Sequence, residues 1–359
     1  MIRLTWRQLR PSALGACGAL LVVAALAVLT GPDLARTWTA TLAACRPSGD
    51  CTAAAAAFAR TDEGLRAALG TLVTVVPGLI GVFWGAPLVA REVEAGTFPL
   101  VWTQSVTRTR WLVVKLAVIG LAGMMVTGLL SAVVTGWAAP MDDAGAAVYA
   151  TFGQRDLAPV GYAALAFAIG VTAGVLVRRT VPAMALALVA FVVVRVGVTY
   201  GLRPRLIPPL HRTLALDPAS TGLGSAVSPG SILNAWFNGG PSSALLPETP
   251  RMPDAWIYSL RVVDGAGRDL TDPVLNATCP GITGGGPPAA AGHVAVSQDA
   301  ADRMHACVAR IGATYHELVT YQPAGRYWTL QWAELAVCGV TALALGAFCV
   351  WWVRRRPIS

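Results

Sequence analysis

Long apolar runs separated by short polar stretches set the pattern of this chain. A helix crosses the hydrocarbon core of a bilayer with about 20 mostly apolar residues, the range being roughly 17–25. Six runs meet that length: residues 13–29, 69–90, 116–139, 159–177, 181–200 and 327–353. The fifth carries Arg195 near its end and the sixth carries Glu334 near its start. The opening MIRLTWRQLR has a different rhythm. Arg3, Arg7 and Arg10 form one stripe at helical spacing, and Ile2, Trp6 and Leu9 form a second, apolar stripe. Residues 1–12 are therefore predicted to be an interfacial amphipathic helix, basic toward the headgroups, that Pro11 ends before the first span.

The expected architecture is an all-α integral membrane protein with six transmembrane helices. Residues 13–200 make a five-span membrane domain, and residues 327–359 supply the sixth span and a basic tail. Between them lie residues 201–326, with 14 prolines and the linker-like GITGGGPPAAAG at residues 281–292. Within that segment, residues 256–270 alternate and then meet an Asp-Gly turn signal, which suggests a small hairpin. Residues 299–312 have helical character, with Met304, Cys307, Val308 and Ile311 on one side. A small irregular α+β extracytoplasmic insertion is expected. Two spans contain paired glycines, Gly81 with Gly85 and Gly170 with Gly174, whose spacing permits close helix contact. Pro77 and Pro87 are expected to kink the second span.

Composition agrees with a membrane location. The chain of 359 residues is 55% hydrophobic and only 13% charged, against about 25% charged in a soluble domain. Its mean hydropathy is +0.58. The net charge of +8 raises the possibility of nucleic acid, but the positions of the charges decide otherwise. With the N-terminus in the cytoplasm, six spans return the C-terminus there. The cytoplasmic pieces (residues 1–12, 91–115, 178–180 and 354–359) then hold twelve Arg or Lys against only Glu92 and Glu94. The outer loops at 30–68 and 140–158 hold five Arg against seven acids. This is the positive-inside pattern, so the basicity belongs to topology and no nucleic-acid partner is expected. The basic start could instead be a signal peptide, but no A-x-A site follows the first apolar run at the right place for cleavage, and an uncleaved span is expected.

Cysteine positions give an independent expectation. Cys45 and Cys51 fall in the first outer loop, and Cys279 and Cys307 in the large outer segment. An even number outside, spaced as two local pairs, predicts disulfides Cys45–Cys51 and Cys279–Cys307. Two opposite charges at similar depth on consecutive spans predict an intramembrane pair, Arg195 with Glu334. The histidines lack zinc spacing, so no metal site is expected.

The chemistry of an energy source is absent. There is no G-x-x-x-x-G-K-[ST] loop to cradle phosphates, and no G-x-S-x-G, H-E-x-x-H or C-x-x-C. Two ionisable residues within spans are poor material for a proton relay. No catalytic residue is expected.

The stretch GAPLVAREVEAGTFPLVWTQSVTRTRWLVVK, residues 85–115, joins the second and third spans. Arg91, Glu92 and Glu94 can prolong the second helix, Gly96 can end it, and Pro99 prevents a straight helix through the loop. Thr107 can cap the helix that begins at Arg108. The loop is thus a compact elbow. The string RE-x-E-x-GT, followed by TQSVTRTRW and Lys115, resembles the intracellular loop of ABC exporter permease subunits of the type-2 class, particularly actinobacterial ones. YQPAGRYWTLQWAE, residues 321–334, is similar to the start of the sixth span in that group. The six-span layout and the large outer insertion agree.

That resemblance implies a multi-pass plasma-membrane permease that couples to a separate ABC ATPase subunit, works as a homodimer or with a paralogous permease, and exports a small hydrophobic or amphipathic substrate. It implies no cofactor in this chain, with ATP and Mg on the partner ATPase. It also implies an ATPase-coupling loop at residues 91–115, in which Glu92 and Glu94 meet the ATPase. Gly96 and Thr97 set the bend, and Arg91, Arg108 and Lys115 flank it, Arg108 and Lys115 at the headgroups. The alternative is a non-transporting membrane protein, a sensor or assembly factor, that binds a partner through its outer segment.

Overall fold

In the computed structural model the described residues are 2–46, 51–94, 108–144, 148–216, 255–278, 306–307 and 309–355. Among them six helices are long and apolar enough to cross a membrane: Ala13–Cys45, Glu63–Glu94, Thr109–Asp143, Val148–Val177, Thr180–Leu206 and Ala324–Arg355. They are called the first to sixth spans below. The contacts divide the chain into a helical unit, Met1–Pro208 with Gly325–Ser359, and a second unit, Pro209–Ala324.

The first helix differs from expectation at its start. It runs unbroken from Ile2 to Cys45, through Pro11, so no break separates residues 1–12 from the span. A proline removes one backbone donor and crowds the preceding turn, yet spanning helices accommodate that loss by local adjustment. At 44 residues this helix is about 66 Å long, twice the hydrocarbon thickness. A disulfide joins Cys45 at its end to Cys51, which precedes a short helix at Thr52–Ala59.

The fourth span is the centre of the bundle and packs against the second, third, fifth and sixth. Small residues make this possible. A methyl built on Gly81 would lie 2.5 Å from the carbonyl oxygen of Ala166, and one on Gly85 would lie 2.7 Å from that of Phe167. In return, Cβ atoms on Gly170 and Gly174 would collide with the carbonyls of Gly81 and Ala86. The two glycine pairs noted in the sequence therefore face each other, and the second and fourth spans touch backbone to backbone.

Two spans contain π-helical segments, Gly81–Gly85 and Gly197–Leu202. Each lies just before a proline, Pro87 and Pro204. Proline cannot donate to the carbonyl four residues back, and its ring would strike that carbonyl. The wider turn absorbs both defects, and Ala86 N bonds Gly81 O at 2.9 Å across it. The second span thus continues to Glu94 and the fifth to Leu206.

The second unit holds a three-stranded antiparallel sheet in the order β1-β3-β2, with β1 Leu210–Ala215, β2 Trp256–Asp264 and β3 Tyr315–Gln322. After β2 the chain turns at Asp264–Gly267, where Gly267 adopts φ 79°, and returns for a single bridge, Val263 to Asp269. The main partner of β2 is β3. Its core is Leu216, Val262, Leu270, Leu275, Cys307 and Ile311. Cys307 is disulfide-bonded. Cys279, residues 281–292 and most of the predicted helix at 299–312 lie outside the described residues.

Candidate functional site

Two polar constructions stand out in an otherwise apolar bundle. The first is the elbow after the second span. Between Pro87 and Glu94 the helix has three working faces. Leu88 and Val89 are buried in one cluster with Trp111, Leu112 and Val175. Ala86 and Ala90, four residues apart, are buried in another with Ala173, Ala183 and Ala187. Arg91 is exposed.

Helical spacing continues those rows into the glutamates. Glu92 lies four residues beyond Leu88, on the side of the third span, and pairs with Lys115. The lysine is buried and its ammonium stands 4.5 Å from the centre of the Trp111 ring. Glu94 lies four residues beyond Ala90, on the side of the fifth span. Its Oε2 accepts from the backbone N–H of Thr180 at 3.0 Å and from the Thr180 hydroxyl at 2.6 Å.

Thr180 opens the helix of the fifth span, after a two-residue turn in which Arg178 has φ 59°. No side chain of Arg179 caps that helix; Glu94 supplies the acceptor from another helix. A carboxylate there also meets the positive end of the helix dipole. Lys115, which the resemblance placed at the headgroups, is buried and paired with Glu92. Gly96 and Thr97 lie outside the described residues, as do residues 95–107 as a whole, and of Arg108 only the backbone is described.

The second construction is a collar of polar groups at the other ends of the spans. Glu334 is 1% exposed. It accepts two hydrogen bonds from Arg203, both at 2.8 Å, and one from the Tyr162 hydroxyl at 2.5 Å. The expected pair Arg195–Glu334 is not formed. Arg195 instead donates to the Gly153 carbonyl at 2.7 Å and stacks on the Tyr162 ring at 3.8 Å. The π-helical turn explains the exchange. It carries the fifth span past residue 200, so Arg203, two turns beyond Arg195, falls inside the bundle.

The collar extends sideways. Gln331 accepts from Ala158 N at 2.8 Å and donates to Phe152 O at 3.2 Å. The Tyr327 hydroxyl donates to Asp156 at 2.5 Å, and Arg155 donates to Asp142 at 2.6 Å. Arg66 reaches the same Asp142 at 3.4 Å. Side chains from five spans, the second to the sixth, are thus joined by charge-assisted bonds.

Sequence reasoning missed Thr180, Arg203, Tyr162 and Gln331. A signal existed for some of them. Tyr327, Gln331 and Glu334 recur at i, i+4 and i+7, a polar stripe on an apolar helix, and Ala86, Ala90 and Glu94 recur every four residues. No such signal marks Thr180 as the partner of a residue 86 positions earlier. Among the described residues no group of three or more His, Cys, Asp or Glu could hold a metal ion.

A family model described as ABC-2 membrane transporter related matches residues 17–203. The match takes in the first five spans and the elbow and ends at the arginine that pairs with Glu334. No curated protein and no solved structure matches the chain.

Proposed function

Since the chain belongs to the ABC-2 membrane transporter related family, a family of transporter membrane subunits, we propose that it is the permease of an ATP-driven exporter. A separate ABC ATPase binds the segment around residues 91–115 and supplies ATP and Mg chemistry. Two permease chains, identical or paralogous, enclose the path of a hydrophobic or amphipathic substrate across the plasma membrane. The N- and C-termini and the elbow face the cytoplasm, and the unit Pro209–Ala324 faces outward.

One observation carries this reading: the family match runs through the elbow and both helices that frame it. The charge pattern supports the orientation. Arg91, Arg178, Arg179, Arg354 and Arg355 stand at the span ends on the elbow side, as the positive-inside rule requires of a cytoplasmic face. Within the elbow, exposed Arg91 and the stretch from Gly96 and Thr97 to Arg108 form the docking surface. Glu92 and Lys115 hold its base in register. ATP binding then favours one arrangement of the spans over another through this contact.

The test is co-purification of the full chain with Walker-type ATPases from the same genome, followed by ATP hydrolysis in lipid vesicles. The expected result is a stable complex whose hydrolysis exceeds that of the ATPase alone. Replacing residues 95–107 by a Gly-Ser segment of equal length is expected to abolish binding. Failure of every candidate ATPase to bind, or binding indifferent to the replacement, would overturn the reading.

A further inference from the structure

We propose that Glu94 and Thr180 form a latch through which movement of the elbow reaches the fifth span. The inference rests on the permease reading above and assigns to Glu94 a role that faces inward, toward this chain, rather than toward the ATPase. Four observations carry it.

Glu94 stands at the elbow end of the second span, where a movement of the elbow is passed to that helix. Its carboxylate is committed to another helix, with Oε2 taking both the N–H and the hydroxyl of Thr180. The contact sits on the first residue of the fifth-span helix, at its N-terminus, where the free N–H groups and the helix dipole make a carboxylate a firm handle. Below the latch, the second, fourth and fifth spans meet through Ala86, Ala90, Ala173, Ala183 and Ala187, with Val177 and Met184 against them, and Phe191 of the fifth span packs on Gly78 of the second. Alanine surfaces have no long side chains to interlock. The polar contact at the end therefore supplies the directional tie between the second and fifth spans.

Glu92 gives the contrast. Its partner Lys115 is buried and belongs to the third span, the helix that leaves the same loop. That pair closes the base of the elbow on itself. The Glu94 contact leaves the elbow for a helix elsewhere in the sequence. Glu94 is thus a positioning residue.

The experiment uses the full chain with its ATPase in lipid vesicles. Readouts are ATPase bound per permease, melting temperature, and ATP hydrolysis relative to the ATPase alone. Glu94→Ala and Thr180→Val are expected to leave binding and melting near wild type while stimulation falls about tenfold, within the usual range for coupling between sites. Glu94→Gln, which keeps an acceptor oxygen, and Thr180→Ser are expected to retain most of the stimulation.

Full stimulation by Glu94→Ala would overturn the latch, as would loss of ATPase binding in that variant, which would make Glu94 a docking contact. If no ATPase binds the wild-type chain, the permease reading fails and the latch fails with it.

Discussion

An ion pair buried among apolar helices is costly to break from one side only. Removing one partner leaves a desolvated charge, worth roughly 3–5 kcal/mol, whereas removing both can be nearly neutral. Glu334→Leu and Arg203→Leu are each expected to lower the unfolding free energy by about that amount in detergent, and the double replacement by clearly less. Arg195→Leu loses a ring contact and one hydrogen bond, so about 1–2 kcal/mol is expected. Thermal or denaturant unfolding of the four variants checks the ranking. Equal losses at Arg195 and Arg203 would refute the assignment.

A second residue makes stability depend on pH. Glu317, on the central strand β3, is 3% exposed, and its Oε1 has no hydrogen-bond partner among the described residues. Burial pushes its pKa up to about 7. The folded state therefore holds a proton that the unfolded chain releases near pH 4.5. The resulting stabilisation is complete below the unfolded value and is lost as pH rises through the folded one. Asp269, lowered by the Arg261 side chain, and Asp264, lowered first by the Arg268 backbone N–H and then by its guanidinium, act in the opposite sense. Their contribution is present above the ordinary aspartate range and is lost only in stronger acid. Calorimetry of the whole protein is expected to show the transition of the sheet-bearing unit a few °C higher at pH 5.5 than at pH 7.5. Glu317→Gln is expected to remove that difference.

At the scale of elements, backbone contact between the second and fourth spans leaves no room for a side chain. Gly170→Val is expected to cost about 1–3 kcal/mol through overpacking. Gly339→Ala, where an added methyl meets nothing within 4 Å, is expected to be neutral. Unfolding of both variants in detergent is the check. The glycine pairs were visible as spacing in the sequence, but their mutual contact was not. Nothing local states which helix a glycine faces. Span ends were likewise placed short. The fifth was expected to stop at residue 200, because Arg203 and Pro204 read as loop. A π-helical turn before the proline and an acid on the sixth span keep the helix going to Leu206. Pro11 misled in the same way, since proline was read as a stop and the helix continues.

For the whole molecule, the proposed assembly has an expected composition. Native mass spectrometry of the purified complex is expected to give two permease chains with two ATPase chains. A single permease chain per ATPase pair would contradict a path shared between two copies. The six apolar runs, their approximate ends and the polar insertion before the last run were all determined by the sequence alone. Hydrophobic length and local spacing are properties of neighbouring residues, and the bilayer imposes them directly. Only the tertiary structure decided where the isolated charges go. Glu94 meets Thr180, Glu92 meets Lys115, and Glu334 meets Arg203 rather than Arg195. Each choice depends on which helices lie side by side, and on wide turns that shift a helix by one residue. Those follow from the packing of all the spans together, and no local pattern encodes them.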